Sequence, residues 1–134
     1  MTDLALRKQS VLVVDDHEDL RRVLGRGLSS LGYEVFTAAN GADALELTDA
    51  NAIDAVVTDV HMPEMDGLEL IRELRGTHPA LRIIAMSGGG SLPADLALEV
   101  CQLSGADALL HKPMTAAAVD KLLRSILLAQ GEEQ

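Results

Sequence analysis

The sequence predicts a five-stranded parallel sheet wrapped by helices on both faces, a doubly wound α/β domain. Three observations carry that prediction. Five short apolar runs alternate with longer amphipathic stretches from end to end of the 134 residues, as in a sheet built from crossover units. The first, third and fourth runs are near-continuous Val, Leu and Ile, the composition of strands covered on both faces. Glycines, prolines and capping side chains punctuate the stretches between. At roughly 100–200 residues per domain the chain makes one domain, expected to have its core over about residues 10–129 and short tails on either side.

The strands are expected at Ser10–Val14, Tyr33–Thr37, Ala55–Thr58, Arg82–Met86 and Ala106–Leu110. After the first, Leu20, Val23, Leu24, Leu28 and Leu31 fall on one helical face, and Gly32 supplies the left-handed stop. Asn40 is placed to cap the second helix. The third starts at Asp66 and runs through Arg75, with Gly76 after it. Pro93 suits the first turn of a fourth, and Thr115 caps a last helix whose core stripe is Val119, Leu122, Leu123 and Ile126. The tail Gly131–Gln134 reads as frayed.

The charge balance, 21 Asp plus Glu against 11 Lys plus Arg for a net of −10, argues against a nucleic-acid binder, which needs a basic face to displace phosphate counterions. Tyr33 and Phe36 are the whole aromatic set, which disfavours base or sugar stacking. A hydrophobic content of 48% supplies a real core and excludes disorder as the main reading. Cys101 stands alone in an apolar helical stretch, where a small buried thiol is the expected role. The first ten residues lack the apolar core of a signal peptide, and no run approaches the ~18 apolar residues of a membrane span. A soluble, cytoplasmic protein with no membrane partner is expected.

Parallel strands bring their carboxyl ends to one edge of the sheet, where open α/β folds bind ligands. The polar residues at those ends are Asp15 and Asp16, Asp59, Ser87, and Lys112 followed by Pro113. Three carboxylates converging within ~4–5 Å repel by roughly 4 kcal/mol per pair at an effective dielectric of 20, and a divalent cation offsets that directly. An all-oxygen set suits Mg²⁺; zinc would want Cys or His. Lys112 adds a point charge at the rim and Ser87 a hydroxyl that can donate to an oxyanion. Together these describe a phosphoryl site in which the Asp59 carboxylate is a competent nucleophile and the product is an aspartyl phosphate, a labile, highly charged group suited to a switch. His17, His61 and His111 lie near the same edge and are read as solvated loop histidines. Arg21 and Arg22 are divided evenly between the wet face of the first helix and a surface docking an acidic phosphodonor.

Four segments, Val11-Leu-Val-Val-Asp-Asp16, Val57-Thr-Asp-Val-His-Met-Pro-Glu-Met-Asp-Gly67, Ala85-Met-Ser87 and Leu110-His-Lys-Pro113, resemble in type and order the receiver domains of two-component response regulators, including the stand-alone chemotaxis-type regulator. The resemblance covers roughly Val11 to Leu128. It implies a flavodoxin-like strand order 2-1-3-4-5 and a Mg²⁺-dependent transfer to Asp59 from a phosphohistidine on a sensor histidine kinase or histidine phosphotransfer protein. It further implies Asp16, Asp59 and the backbone carbonyl of His61 as Mg²⁺ ligands, with Asp15 acting through a bound water. Lys112 would bridge to the phosphoryl group, Ser87 would hydrogen-bond it, the Lys112–Pro113 peptide would be cis, and Pro63 and Gly67 would shape the loop after the acceptor. The output face would be the fourth helix, fifth strand and fifth helix, meeting a downstream protein target or a second copy in a phosphorylation-enhanced homodimer, with Leu128 exposed on it.

Two positions depart from the family pattern. Leu109 stands where an aromatic ring usually turns, and Gly88-Gly-Gly90-Ser-Leu-Pro93 is longer and freer than the common connection, so that loop is expected to carry the rearrangement. Other classes fare worse. An FMN site would place phosphate against the acidic Asp15 to Asp19 loop, which repels it. A haloacid-dehalogenase-type phosphatase wants a second acid two residues after its nucleophile, where His61 stands, yet Mg²⁺-dependent turnover of a small phosphorylated substrate remains the runner-up. Within the receiver reading, Met1 and the short polar tail favour a stand-alone regulator or relay shuttle over a receiver cut from a hybrid kinase or longer regulator.

Overall fold

The computed structural model of the chain describes residues 8–60, 67–88, 99 and 102–132, with the backbone alone for 128–132. The elements are β1 (Ser10–Val14), α1 (Glu18–Ser30), β2 (Glu34–Ala38), α2 (Gly41–Ala50), β3 (Ala55–Asp59), α3 (Gly67–Thr77), β4 (Arg82–Ser87), a helix α4 described at Glu99 and Gln102–Ser104, β5 (Ala108–His111) and α5 (Ala116–Glu132). All pairings are parallel and the order is β2-β1-β3-β4-β5. The predicted class and order are therefore observed.

Alternation along the strands sends neighbours to opposite faces, and two cores result. Leu12, Val14, Val56, Ile83 and Ala85 pack with Leu70, Ile71 and Leu74 of α3 and Ala44 of α2. Val11, Val13, Val57, Ile84 and Met86 pack with Leu24 and Leu28 of α1 and Val119 and Leu123 of α5. The three central strands are buried almost throughout, which is why they read as unbroken apolar runs. The switch point between β1 and β3, where strand order reverses, opens a crevice at the carboxyl edge.

The caps sit where expected. Asn40 Oδ1 accepts from the Asp43 N–H at 2.8 Å, Thr115 Oγ1 from the Ala118 N–H at 3.1 Å, and Gly32 takes φ +106°. Several boundaries differ. β2 starts one residue late because the Tyr33 N–H donates to Leu28 O at the end of α1. α3 passes through Gly76 to Thr77, whose hydroxyl donates to Glu73 O at 3.0 Å. β5 begins at Ala108 rather than Ala106, since the Asp107 carboxylate takes the Ile83 N–H at 2.7 Å. α5 continues through Gly131 to Glu132, past the expected fray point.

The α1 stripe is narrower than predicted. Leu24 and Leu28 are buried, but Val23 is 66% and Leu31 43% exposed. Val23 lies about 140° from Leu28 on the helical wheel, off the face that meets the sheet, and Leu31 is already the C-cap. Cys101, Asp66, Pro63, Pro93, Gly89 and Gly90 lie outside the described residues, as does the side chain of Leu128.

Candidate functional site

Asp15 follows the last residue of β1 and Asp59 is the last residue of β3, so the adjacency of the two strands brings both to the crevice. Asp15 is fully buried and Asp59 nearly so. A buried carboxylate needs partners, and that of Asp15 has three. Its Oδ1 accepts from the His17 backbone N–H at 2.8 Å and pairs with the His17 imidazole Nδ1 at 2.9 Å. Its Oδ2 accepts from Lys112 Nζ at 2.7 Å, and its backbone carbonyl accepts from the Arg21 guanidinium at 2.8 Å. Arg21 therefore anchors the β1 loop, while Arg22 pairs with Asp19 at 3.1 Å on the wet side.

Lys112 reaches the same crevice from the end of β5 and donates to Asp59 Oδ2 at 3.0 Å as well. Its own N–H donates to Ser87 O at 2.7 Å, which ties the ends of β4 and β5 together. Ser87 is buried, its hydroxyl 3.3 Å from Gly88 O, and the Lys112–Pro113 peptide is cis, as expected. Asp59 is held from below by a close approach: a Cβ on Gly67 would lie 2.0 Å from Asp59 O and 2.5 Å from Val60 Cα, so only glycine fits where α3 starts against the end of β3. Leu109 packs with the α2 and α3 side of the sheet.

The electrostatics follow from these contacts. Burial pushes the Asp15 carboxyl up, but the Lys112 ammonium and the two His17 contacts outweigh it and hold it below the ordinary carboxylate range. Burial likewise pulls Lys112 down, and its bonds to Asp15 and Asp59 more than reverse that, so it sits above the usual lysine value. The exposed His17 imidazole is raised by its bond to Asp15 and by the neighbouring charge of Asp16.

Asp15, Asp16, His17 and Asp59 each offer one ligand atom, and these atoms all lie within 4.8 Å of one another. A set of three carboxylates beside one ammonium leaves excess negative charge at a single point, which fits a hard divalent cation. Of the residues expected at the site, Asp15, Asp16, Asp59 and Lys112 converge, Ser87 sits at the adjoining strand end, and His61 lies outside the described residues. His17 is solvated as expected, its side chain 70% exposed, and it still joins the group. Its place two residues after Asp15 is the available signal, since an aspartate side chain accepts from the backbone N–H two residues on.

A family model described as the response regulator receiver domain matches residues 11–124. The chain belongs to that family. It is 42% identical over 113 residues to the sensor histidine kinase RcsC of Salmonella typhi, covering 84% of this chain and 12% of that one. It is 41% identical over 118 residues to the response regulator MprA of a Mycobacterium species, covering 87% of this chain and 50% of the relative. The chain thus spans half or less of the length of these curated relatives. Among solved structures, the chemotaxis protein CheY4 of Vibrio cholerae superposes with a TM-score of 0.80 at 29% identity, covering 89% of this chain and 98% of the other. A CheY-like receiver domain from Methanospirillum hungatei gives 0.86 at 25% identity, covering 96% and 100%. The receiver domain is the phosphoacceptor switch of two-component signalling, a signalling module and not a classical enzyme. Among the described residues of this receiver domain no helix is long and apolar enough to cross a membrane.

Proposed function

We propose that Asp59 is the phosphoacceptor and that its donor is a phosphohistidine on a sensor histidine kinase or histidine phosphotransfer protein. The observation that carries this reading is the sharing of the Lys112 ammonium between Asp15 and Asp59 at 2.7 and 3.0 Å at the switch point of the sheet. An Asp59 carboxylate oxygen attacks phosphorus, the P–N bond to the donor imidazole breaks, and the imidazole leaves with its electron pair and is protonated. Lys112 holds Asp59 in place beforehand and meets the charge of the transferred group afterwards. Ser87 donates its hydroxyl to a phosphoryl oxygen. Asp16, Asp59 and the His61 carbonyl would hold Mg²⁺, with Asp15 acting through a bound water, and the ion would supply positive charge against the equatorial phosphoryl oxygens. These residues assist the domain's own phosphorylation and dephosphorylation.

The new charge beside Lys112 is read out on the adjoining α4–β5–α5 face, which meets a downstream protein or a second copy of the chain. The single domain, cored over about residues 10–129, acts by protein contact in the cytoplasm. The likeness to a segment of a sensor histidine kinase favours, as a second reading, a receiver working inside a phosphorelay. Intact-mass spectrometry after incubation with acetyl phosphate and Mg²⁺ is expected to show one phosphoryl group on the wild type and none on Asp59→Asn. Label persisting in that variant overturns the assignment, and steady phosphate release from a small phosphorylated substrate would favour a phosphatase.

A further inference from the structure

The proposed Mg²⁺ site is all oxygen, yet the structure sets an imidazole inside the same group of atoms. His17 Nδ1 stands 2.9 Å from Asp15 Oδ1 and 3.3 Å from Asp16 Oδ1, and a ring nitrogen of His17 lies within 4.8 Å of the Asp59 ligand oxygen. Donors around one octahedral cation with bonds near 2.1 Å are separated by about 3.0 Å when adjacent and about 4.2 Å when opposite. The 2.9 and 3.3 Å distances are those of adjacent donors, and the 4.8 Å bound on the set exceeds the opposite-donor separation by an amount that a side-chain rotation closes.

His17 has the freedom for that rotation and a fixed base to make it from. Its backbone N–H is held by Asp15 and its carbonyl accepts from the Arg21 N–H in the first turn of α1, while the side chain is 70% exposed.

We propose that His17 supplies a nitrogen ligand to the cation held by Asp16 and Asp59, so that this receiver site favours late first-row divalent cations such as Ni²⁺ and Co²⁺ over Mg²⁺ by more than its carboxylates alone would. The inference rests on the metal site proposed above. Mg²⁺ is hard, keeps its waters and gains little from imidazole, whereas Ni²⁺ and Co²⁺ bind nitrogen strongly. One imidazole thus alters the ratio of affinities and leaves the Mg²⁺ affinity almost untouched.

Calorimetric titration of the full chain with Mg²⁺ and with Ni²⁺ tests this, counting only the Ni²⁺ that saturating Mg²⁺ displaces. Wild type, His17→Gln and Asp59→Asn are compared, the glutamine keeping a polar side chain without an imidazole. Loss of His17 is expected to weaken Ni²⁺ roughly tenfold or more while Mg²⁺ changes less than about twofold. Pulsed EPR of bound Mn²⁺ is expected to show nitrogen coupling in the wild type and not in His17→Gln. If Ni²⁺ and Mg²⁺ weaken equally, His17 acts only by placing Asp15, and if neither changes it has no part in binding; either result overturns the inference. Mg²⁺ affinity that survives Asp59→Asn overturns the underlying metal site instead.

Discussion

Replacing Lys112 by Met, a side chain of similar length without the charge, removes a cation bonded to both Asp15 and Asp59. Their ligand oxygens lie within 4.8 Å, where two uncompensated charges repel by about 3.5 kcal/mol at an effective dielectric of 20. Breaking one side of a buried ion pair costs about 3–5 kcal/mol by experience, so a loss of about 3 kcal/mol at pH 8 is expected. The pH dependence distinguishes this cause from a packing defect. In the wild type Asp15 lies below its ordinary value, so its contribution is present above the unfolded value near 4 and is lost as pH falls. Lys112 lies above its ordinary value, so its contribution is present below about 10 and is lost at higher pH. Between these limits the two groups give a flat profile. Burial is the largest single influence on Asp15, and with the ammonium gone only the His17 contacts oppose it, so the carboxyl moves up from its wild-type position. The variant then loses part of the stability that ionised Asp15 supplies, and its deficit against the wild type grows as pH rises from the acid side. Urea unfolding at pH 5 and pH 8 is expected to show a smaller deficit against the wild type at pH 5, with Mg²⁺ recovering more stability at pH 8 in the variant than it adds to the wild type. A variant within about 0.5 kcal/mol of wild type at pH 8, with a parallel profile, would refute the view that the ammonium holds these carboxylates together.

Gly67→Ala places a methyl 2.0 Å from Asp59 O and is expected to cost about 1–3 kcal/mol in urea melts and to slow acetyl phosphate labelling, because the backbone that must yield carries Asp59, the proposed acceptor. Tyr33→Phe deletes the 2.6 Å bond from the phenol to Asp120 Oδ1 and is expected to cost about 1–2 kcal/mol at pH 7. Burial and that bond raise the Tyr33 hydroxyl, so the wild type's advantage over Tyr33→Phe should shrink as pH rises above about 10. Arg75→Lys cannot reproduce a fork that serves the carbonyls of Gly105, Pro79 and Leu81 and the Asp107 carboxylate; a thermal shift equivalent to about 1.5–3 kcal/mol is expected, with increased amide exchange at Gly105 to Asp107.

The sheet was legible because β1, β3 and β4 are buried on both faces, which leaves an unambiguous apolar run in each. Caps at Asn40 and Thr115 were legible because each reaches only three residues along the chain. The start of β5 was not, since it depends on a carboxylate at Asp107 bonding Ile83, 24 residues away. Val23 was misplaced because apolarity gives a helical face only approximately, and the element packed against it decides the margin. At the site, strand ends named Asp15, Asp16, Asp59, Ser87 and Lys112. They did not show that His17 turns back over Asp15 or that Arg21 grips its carbonyl, because local loop conformation chooses those partners.

The Arg75 clamp bears on how β5 can move. One guanidinium joins the end of α3 to Leu81 O ahead of β4 and to Gly105 O and Asp107 ahead of β5, so the amino end of β5 is pinned. Its carboxyl end carries Lys112, the group that a change of charge at Asp59 pulls or releases. A strand fixed at one end and loaded at the other is a lever with its fulcrum at Gly105 to Asp107. The load therefore falls where His111 pairs with Ser87 at the ends of β5 and β4, at the opposite end of the strand from the Arg75 bonds.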